Sequence, residues 1–134
     1  MRTHFNPKNN PRVIIIQKLY GKFYNDDKDL EFPKHRFKKF IKDIVFGTLE
    51  RNDLILDELN TKLGDEFVLE KLDKVFQTIL KAATYEFLYK PNISINIIIK
   101  EYLNSSNFFL EDAQTKYLNA LLDNIGKKLR TSNG

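Results

Sequence analysis

Apolar positions along the chain recur mostly at three- and four-residue spacings, the signature of helices that bury one face. From residue 11 to 24, Ile16, Leu19, Tyr20 and Phe23 fall at i, i+3, i+4 and i+7. The run Val13 to Ile16 would by itself suit a strand, but the helical stripe continues two turns beyond it, and helix is the expectation. Pro11 stands at or near the first helical position, where a missing N–H costs nothing.

A second stretch opens at Pro33 and carries Phe37, Phe40, Ile41, Ile44, Val45 and Leu49 at helical spacing. Residues 54 to 63 continue in kind after a break near Arg51-Asn52, and Gly64 is placed as a C-terminal stop. A third stretch, about 66 to 90, is long for one globular helix, so a kink or break is expected around Thr78 to Ala82; Lys90-Pro91-Asn92 ends it. In "ISINIII", Ile93, Ile95, Ile97 and Ile99 alternate as a strand would. Yet Ile95, Ile98, Ile99, Tyr102 and Leu103 fit a helix that runs on where the alternation stops, with Asn92 or Ser94 as N-cap. The last helix, about 111 to 130, buries a stripe of Tyr117, Leu118, Leu121, Leu122, Ile125 and Leu129. Lys127, Lys128 and Arg130 suit the negative end of its dipole. Scarce glycine and proline, 5 and 4 residues, agree with long helices rather than a turn-rich sheet. The expected fold is all-α, about six or seven helices in one domain over 1–134, with residues 1–10 a flexible arm and 131–134 a tail.

Charge adds a direction to this picture. The net charge of +4 is modest, but its distribution is not even. Residues 1 to 24 hold Arg2, Lys8, Arg12, Lys18 and Lys22 and no carboxylate. After the acidic Asp26, Asp27, Asp29 and Glu31 comes a second basic block, Lys34, Arg36, Lys38, Lys39 and Lys42. Clustered positive charge is the electrostatic footprint of a nucleic-acid binder, and equally of a solvated helix face. No cysteine is present, which excludes disulfides, thiol catalysis and thiolate metal sites. No apolar run approaches the roughly 18 residues of a membrane span, and the N-terminus lacks a signal-peptide core. A soluble, cytoplasmic protein is expected.

Catalytic signatures are missing. His4 lies in the expected arm and His35 among lysines, where solvated histidines are the rule. No HExxH, P-loop or G-x-G-x-x-G occurs. "DDKDLE" has carboxylates at calcium-like spacing, but Phe32 stands where that loop needs glycine, and it reads as a solvated loop. No nucleophile, base and orienter can be assembled; neither an enzyme, a metal site nor a cofactor is expected.

Three segments in order resemble the NusB family of bacterial transcription antitermination factors. "RVIIIQKLY", residues 12 to 20, is similar to the family's first helix, an arginine followed by Gln-x-Leu-Tyr. "LKAATYEFLYKPNISINIIIKE", residues 80 to 101, is similar to a core of the form L-R-x-A-x-Y-E-L, a polar loop, then I-N-E, with Tyr85, Glu86, Ile99 and Glu101 matching. "KYLNALLDNI", residues 116 to 125, is similar to K-F-V-N-G-V-L-D, with Lys116, Asn119, Leu122 and Asp123 matching. The chain departs from the pattern in keeping only Arg12 of an arginine-rich first helix. It also has Ser94 for proline, Lys100 for Asn, Ala120 for Gly and Ala113-Gln114 for Asp-Ser.

The resemblance implies an all-helical domain of two small bundles. It implies pairing with NusE, a ribosomal protein, to bind the single-stranded boxA element of ribosomal RNA leaders, and then joining other Nus factors on RNA polymerase. A second copy of the chain is a further possible partner. Candidate RNA contacts are Arg12, Gln17, Lys18, Tyr20, Lys116 and Tyr117. Arg12 reads either as a phosphate or base contact or as an exposed charge at a helix start. Tyr20 and Tyr117 read as base-stacking rings or as core. Gln17 reads as a base-edge amide or a surface one, and Lys116 as a phosphate contact. Asn119 and Asp123, four apart on one face, read as structural. Candidate partner contacts are Tyr85, Glu86 and Glu101. Two alternatives stay open: an RNA-binding module acting with an rRNA methyltransferase on another polypeptide, and a helical interaction module without RNA affinity.

Overall fold

A computed structural model of the chain describes residues 9–25 and 30–132. Residues 1–8 of the expected flexible arm, His4 among them, residues 133–134 of the expected tail, and Asp26, Asp27 and Asp29 therefore fall outside the described residues. Six α-helices are found among those described, and no strand: α1 Pro11–Tyr24, α2 Lys38–Glu50, α3 Asn52–Leu63, α4 Lys74–Tyr89, α5 Ile95–Ser106 and α6 Asp112–Ser132. None of these helices is long and apolar enough to cross a membrane.

Helix α4 is the axis of the molecule. It packs against α1 and α2 on one side and α5 and α6 on the other, with α3 closing the far end against α4 and α6. A single continuous core runs through both groups and includes residues of every helix. The β-branched run in α1 finds its reason here. Four consecutive helical residues point in four directions, 100° apart, and Val13, Ile14, Ile15 and Ile16 are all buried. The first half of α1 is thus covered on all sides, by α2, α4 and α5, each such side chain gaining about 1.5–3 kcal/mol from burial. Asn10 starts the helix, its Oδ1 accepting from the Arg12 and Val13 amides at 2.9 and 3.3 Å.

Both isoleucine runs are helical, as the stripes predict. Ser94 caps α5, its Oγ accepting from Ile97 N–H at 3.2 Å. The break at Arg51 also falls where expected, and Gly64 ends α3 at φ +90°, a conformation that glycine alone adopts freely. Three boundaries differ. Pro33 does not open α2, which begins at Lys38. His35 Nδ1 accepts from the Phe37 amide at 2.9 Å and its Nε2 lies 3.2 Å from the Asn9 carbonyl, holding 33–37 in a non-helical path. His35 is thus partly exposed and tied to the backbone at two points. The long 66–90 stretch breaks at Leu72-Asp73 rather than at Thr78–Ala82, because Asp73 caps α4 by accepting from Val75 and Phe76 amides at 2.9 and 3.4 Å. Helix α6 runs on to Ser132, past the expected end at 130. Arg130 is bonded to α4 and the turn after it, its guanidinium donating to the carbonyls of Phe87, Lys90 and Ile93 at 2.8, 3.1 and 3.0 Å.

Candidate nucleic-acid interface

Two regions emerge when the candidate residues are placed on the fold: a buried polar knot and a surface of rings and ammoniums. The knot forms where α1, α4 and α5 meet. Arg12 is 6% exposed and Glu86 fully buried. The guanidinium grips the carboxylate with two bonds, Nε to Oε2 at 3.1 Å and Nη2 to Oε1 at 2.6 Å. The Tyr102 hydroxyl donates to the same Oε2, and the Arg12 guanidinium lies over the rings of Phe40 and Tyr102, 5.1 and 5.4 Å from their centroids. Glu101 stands further off, its Oε1 3.8 Å from Arg12 Nη1. Burial pulls the Arg12 pKa down, but the charges of Tyr102, Glu86 and Glu101 outweigh it and the net shift is upward. Burial, followed by the Glu86 charge, raises the Tyr102 pKa well above its ordinary value, so the phenol stays a donor.

This placement corrects three expectations. Arg12 is turned inward rather than presented to a phosphate, its Nε and Nη2 bonded to the buried Glu86 and its Nη1 facing Glu101. Neither is it the exposed helix-start charge of the bland reading. Glu86 is enclosed and Tyr85 is 5% exposed, so neither presents the exposed side chain expected of a partner contact. Tyr85 instead lies across Gly47 of α2, where an added Cβ would come 2.2 Å from its ring, and its own ring sits 4.9 Å from that of Tyr89. Of the three partner candidates, Glu101 is the one that reaches solvent.

The surface residues fare differently. Gln17 is exposed, Lys18 partly so, and Tyr20 half-buried. Gln17, Tyr20 and Tyr24 recur along one side of α1, and the Tyr20 and Tyr24 rings lie 5.3 Å apart. Tyr24 OH donates to Gln77 Oε1 on α4 at 2.9 Å. Across α4, Tyr117 rests on Phe76 with ring centroids 5.5 Å apart. Tyr117 is 48% exposed, so it is not part of the buried α6 stripe; Lys116 beside it is also exposed. Of the two residues read as structural, Asp123 pairs with Lys127 at 3.1 Å, while Asn119 is simply exposed.

Gln17 and Lys18 also line a cleft between α1 and the segment leading into α2, with Lys34, Arg36 and Phe37 on its other wall. Phe37 is 44% exposed, with the Arg36 guanidinium over its ring at 5.1 Å. Sequence reasoning missed Phe37, which it assigned to a helical stripe, and it missed Tyr24, Lys74 and Lys81. Lys81 left a signal, being a lone cation within the most apolar stretch of α4. The chemistry available is recognition: half-exposed rings suited to stacking on bases, with ammoniums and amides beside them.

The helical arrangement is one already known. A solved structure of T. maritima NusB superimposes with a TM-score of 0.76, covering 92% of each chain at 24% identity, which establishes the fold as NusB-like. The sequence matches the profile of the NusB family over residues 9–127, and the chain belongs to that family. A transcription antitermination protein NusB of Sphingopyxis alaskensis is 33% identical over 91 residues, covering 68% of this chain and 61% of that protein. That of Sinorhizobium medicae is 29% identical over 143 residues, covering 93% and 89%. Members of the family are antitermination factors, not enzymes.

Proposed function

We propose that the chain is a transcription antitermination factor that binds boxA-type single-stranded RNA of ribosomal RNA leaders together with NusE. Through that complex it would join other Nus factors on RNA polymerase, in the cytoplasm, and keep the polymerase from terminating early. Family membership supports the antitermination role. The observation that carries the RNA reading is the surface on which Tyr20 and Tyr24 of α1 and Tyr117 of α6 stand half-exposed on either side of α4, near lysines. Rings of this kind stack on unpaired bases whatever their identity, and lysines add the phosphate attraction. Gln17, Lys18 and Lys116 are the polar contacts of this reading. Arg12 and Glu86 act at one remove, by fixing α1 against α4 and α5. Glu101, at the edge of the knot, is the surface residue assigned to NusE.

The test is a titration of labelled boxA-type RNA at several salt concentrations, with and without NusE. With fewer N-terminal arginines than the family pattern, the protein alone should bind weakly and the pair much more tightly, affinity falling as salt rises. Absence of binding in both arms, or a salt slope near zero, would overturn the RNA reading. Equal affinity with and without NusE would overturn the dependence on the partner.

A further inference from the structure

Lys81 lies midway along α4 and is 7% exposed. An ammonium is costly to bury unless it is paired, yet among the described residues no carboxylate stands within ion-pair distance of it. Its Nζ sits 4.0 Å from the centroid of the Phe23 ring instead. Burial lowers its pKa, and the more distant Glu70 only partly offsets this. Seven residues earlier on α4, the Lys74 ammonium lies over the Tyr24 ring, 5.5 Å from its centroid. Between them Gln77 holds the Tyr24 hydroxyl. Two lysines of one helix thus face two adjacent rings of another. A ring attracts a cation without using up its directional N–H donors, so both ammoniums keep hydrogen-bonding capacity for an oxyanion. They are separated by about 10 Å along the helix, too far to chelate one phosphate and suited to two.

We propose that the seam between α1 and α4 is an anion clamp, in which Lys74, which is exposed, and Lys81, its ammonium turning outward from the Phe23 ring, each take a phosphate of a single-stranded RNA backbone. The proposal rests on the RNA-binding reading and adds to it a backbone path beside Tyr20 and Tyr24. A buried lysine over a ring, without a carboxylate among the described residues, weakens the apo fold slightly and gains its counter-charge when the strand arrives. A purely structural lysine would do the reverse.

The test compares the wild type with Lys81→Met, which keeps the packed stem, and with the exposed Lys74→Gln. Against boxA-type RNA, each variant should lose affinity, and each should flatten the logarithmic salt slope by about 0.7, the value for one phosphate contact on a single strand. The melting temperature of Lys81→Met should equal or exceed that of the wild type. An unchanged slope in both variants overturns the clamp; for Lys81→Met, an unchanged slope with a lowered melting temperature makes Lys81 a structural cation. Inorganic tripolyphosphate provides a second arm that does not depend on RNA. It should raise the melting temperature of the wild type by binding the native state, and raise that of the double variant less. If wild type binds no RNA but shows this difference, the RNA reading falls and the anion clamp stands. Identical shifts in wild type and double variant, with no RNA binding, overturn both.

Discussion

Arg12 and Glu86 lie 74 positions apart in the chain and share two hydrogen bonds inside it, with Nη2 2.6 Å from Oε1. The pair ties the first turn of α1 to the last turns of α4. Tyr102, bonded to the same carboxylate, adds α5. Ser105 Oγ on α5 also reaches the Asn10 cap at 3.2 Å, so the start of α1 is held from two directions. Because the ions are out of water, their mutual attraction mainly offsets the cost of burying them; what the network fixes is the register of three helices.

Removing one partner should therefore cost far more than removing all. Arg12→Ala leaves a fully buried carboxylate without its cation and should lower unfolding free energy by about 3–5 kcal/mol. Combining Arg12→Met, Glu86→Leu and Tyr102→Phe should cost less than Arg12→Ala alone. Urea unfolding of the two variants decides this. A loss under about 1 kcal/mol in Arg12→Ala would make the pair an ordinary surface bridge.

Tyr102 gives the network a pH signature. Its folded pKa is raised well above 10.0 by burial first and by the Glu86 charge second. The unfolded chain therefore releases this proton at lower pH than the folded one. The stability linked to Tyr102 is present below about pH 10 and is lost as pH climbs above that value. Tyr102→Phe should be less stable at neutral pH, by about 1.5–3 kcal/mol for a bond to a charged acceptor. It should also decline less steeply in alkali than the wild type. Parallel declines in the two proteins would show that Tyr102 does not titrate out of step with the unfolded chain.

Gly47 is a packing requirement, not a flexible point. A Cβ there would lie 2.2 Å from Tyr85 Cζ and 2.3 Å from its hydroxyl oxygen. Gly47→Ala gains about 1 kcal/mol of helix propensity but forces the ring out of a nearly closed site, an overpacking cost of up to about 3 kcal/mol. A net loss of stability is expected, and Tyr85→Leu in the Gly47→Ala background should recover part of it. A Gly47→Ala protein as stable as wild type would mean that the Tyr85 ring moves freely.

The helices were legible because their stripes are long. In α5 the helical set runs on to Tyr102, past the alternation that ends at Ile99, and Ile98, Ile99 and Tyr102 are all buried. Boundaries were less legible where a side chain decides them. Pro33 reads as a helix start, but the His35 ring takes the Phe37 amide and delays α2 by five residues. The site divided along the same line. Lys116 could be placed at the surface from its own helix, whereas Tyr117 was read into the buried stripe and is exposed, and Tyr20 stood open between core and surface and is half-buried. The fate of Arg12 could not be read from its own helix, because its partner is on another helix and a basic N-terminal segment makes an exposed cation the natural reading. Charge patterning along one helix says which residues neighbour one another on it, and nothing about which helix covers them.

Tyr117 offers a test of the surface that leaves the core untouched. Its ring is 48% exposed and leans on Phe76, so truncation opens no cavity and should change stability little. Stacking one base on such a ring is worth about 1–3 kcal/mol, roughly a five- to 150-fold change in affinity at 1.4 kcal/mol per tenfold. Tyr117→Ala should therefore weaken binding of boxA-type RNA within that range, while its salt slope stays as in the wild type because no phosphate contact is lost. Tyr117→Phe keeps the ring and should bind as the wild type does. The slope separates this residue from its neighbour: Lys116→Gln should flatten it by about 0.7 with a smaller loss of affinity. If Tyr117→Ala binds as tightly as the wild type, the ring is not a stacking platform and the RNA path does not extend to the start of α6.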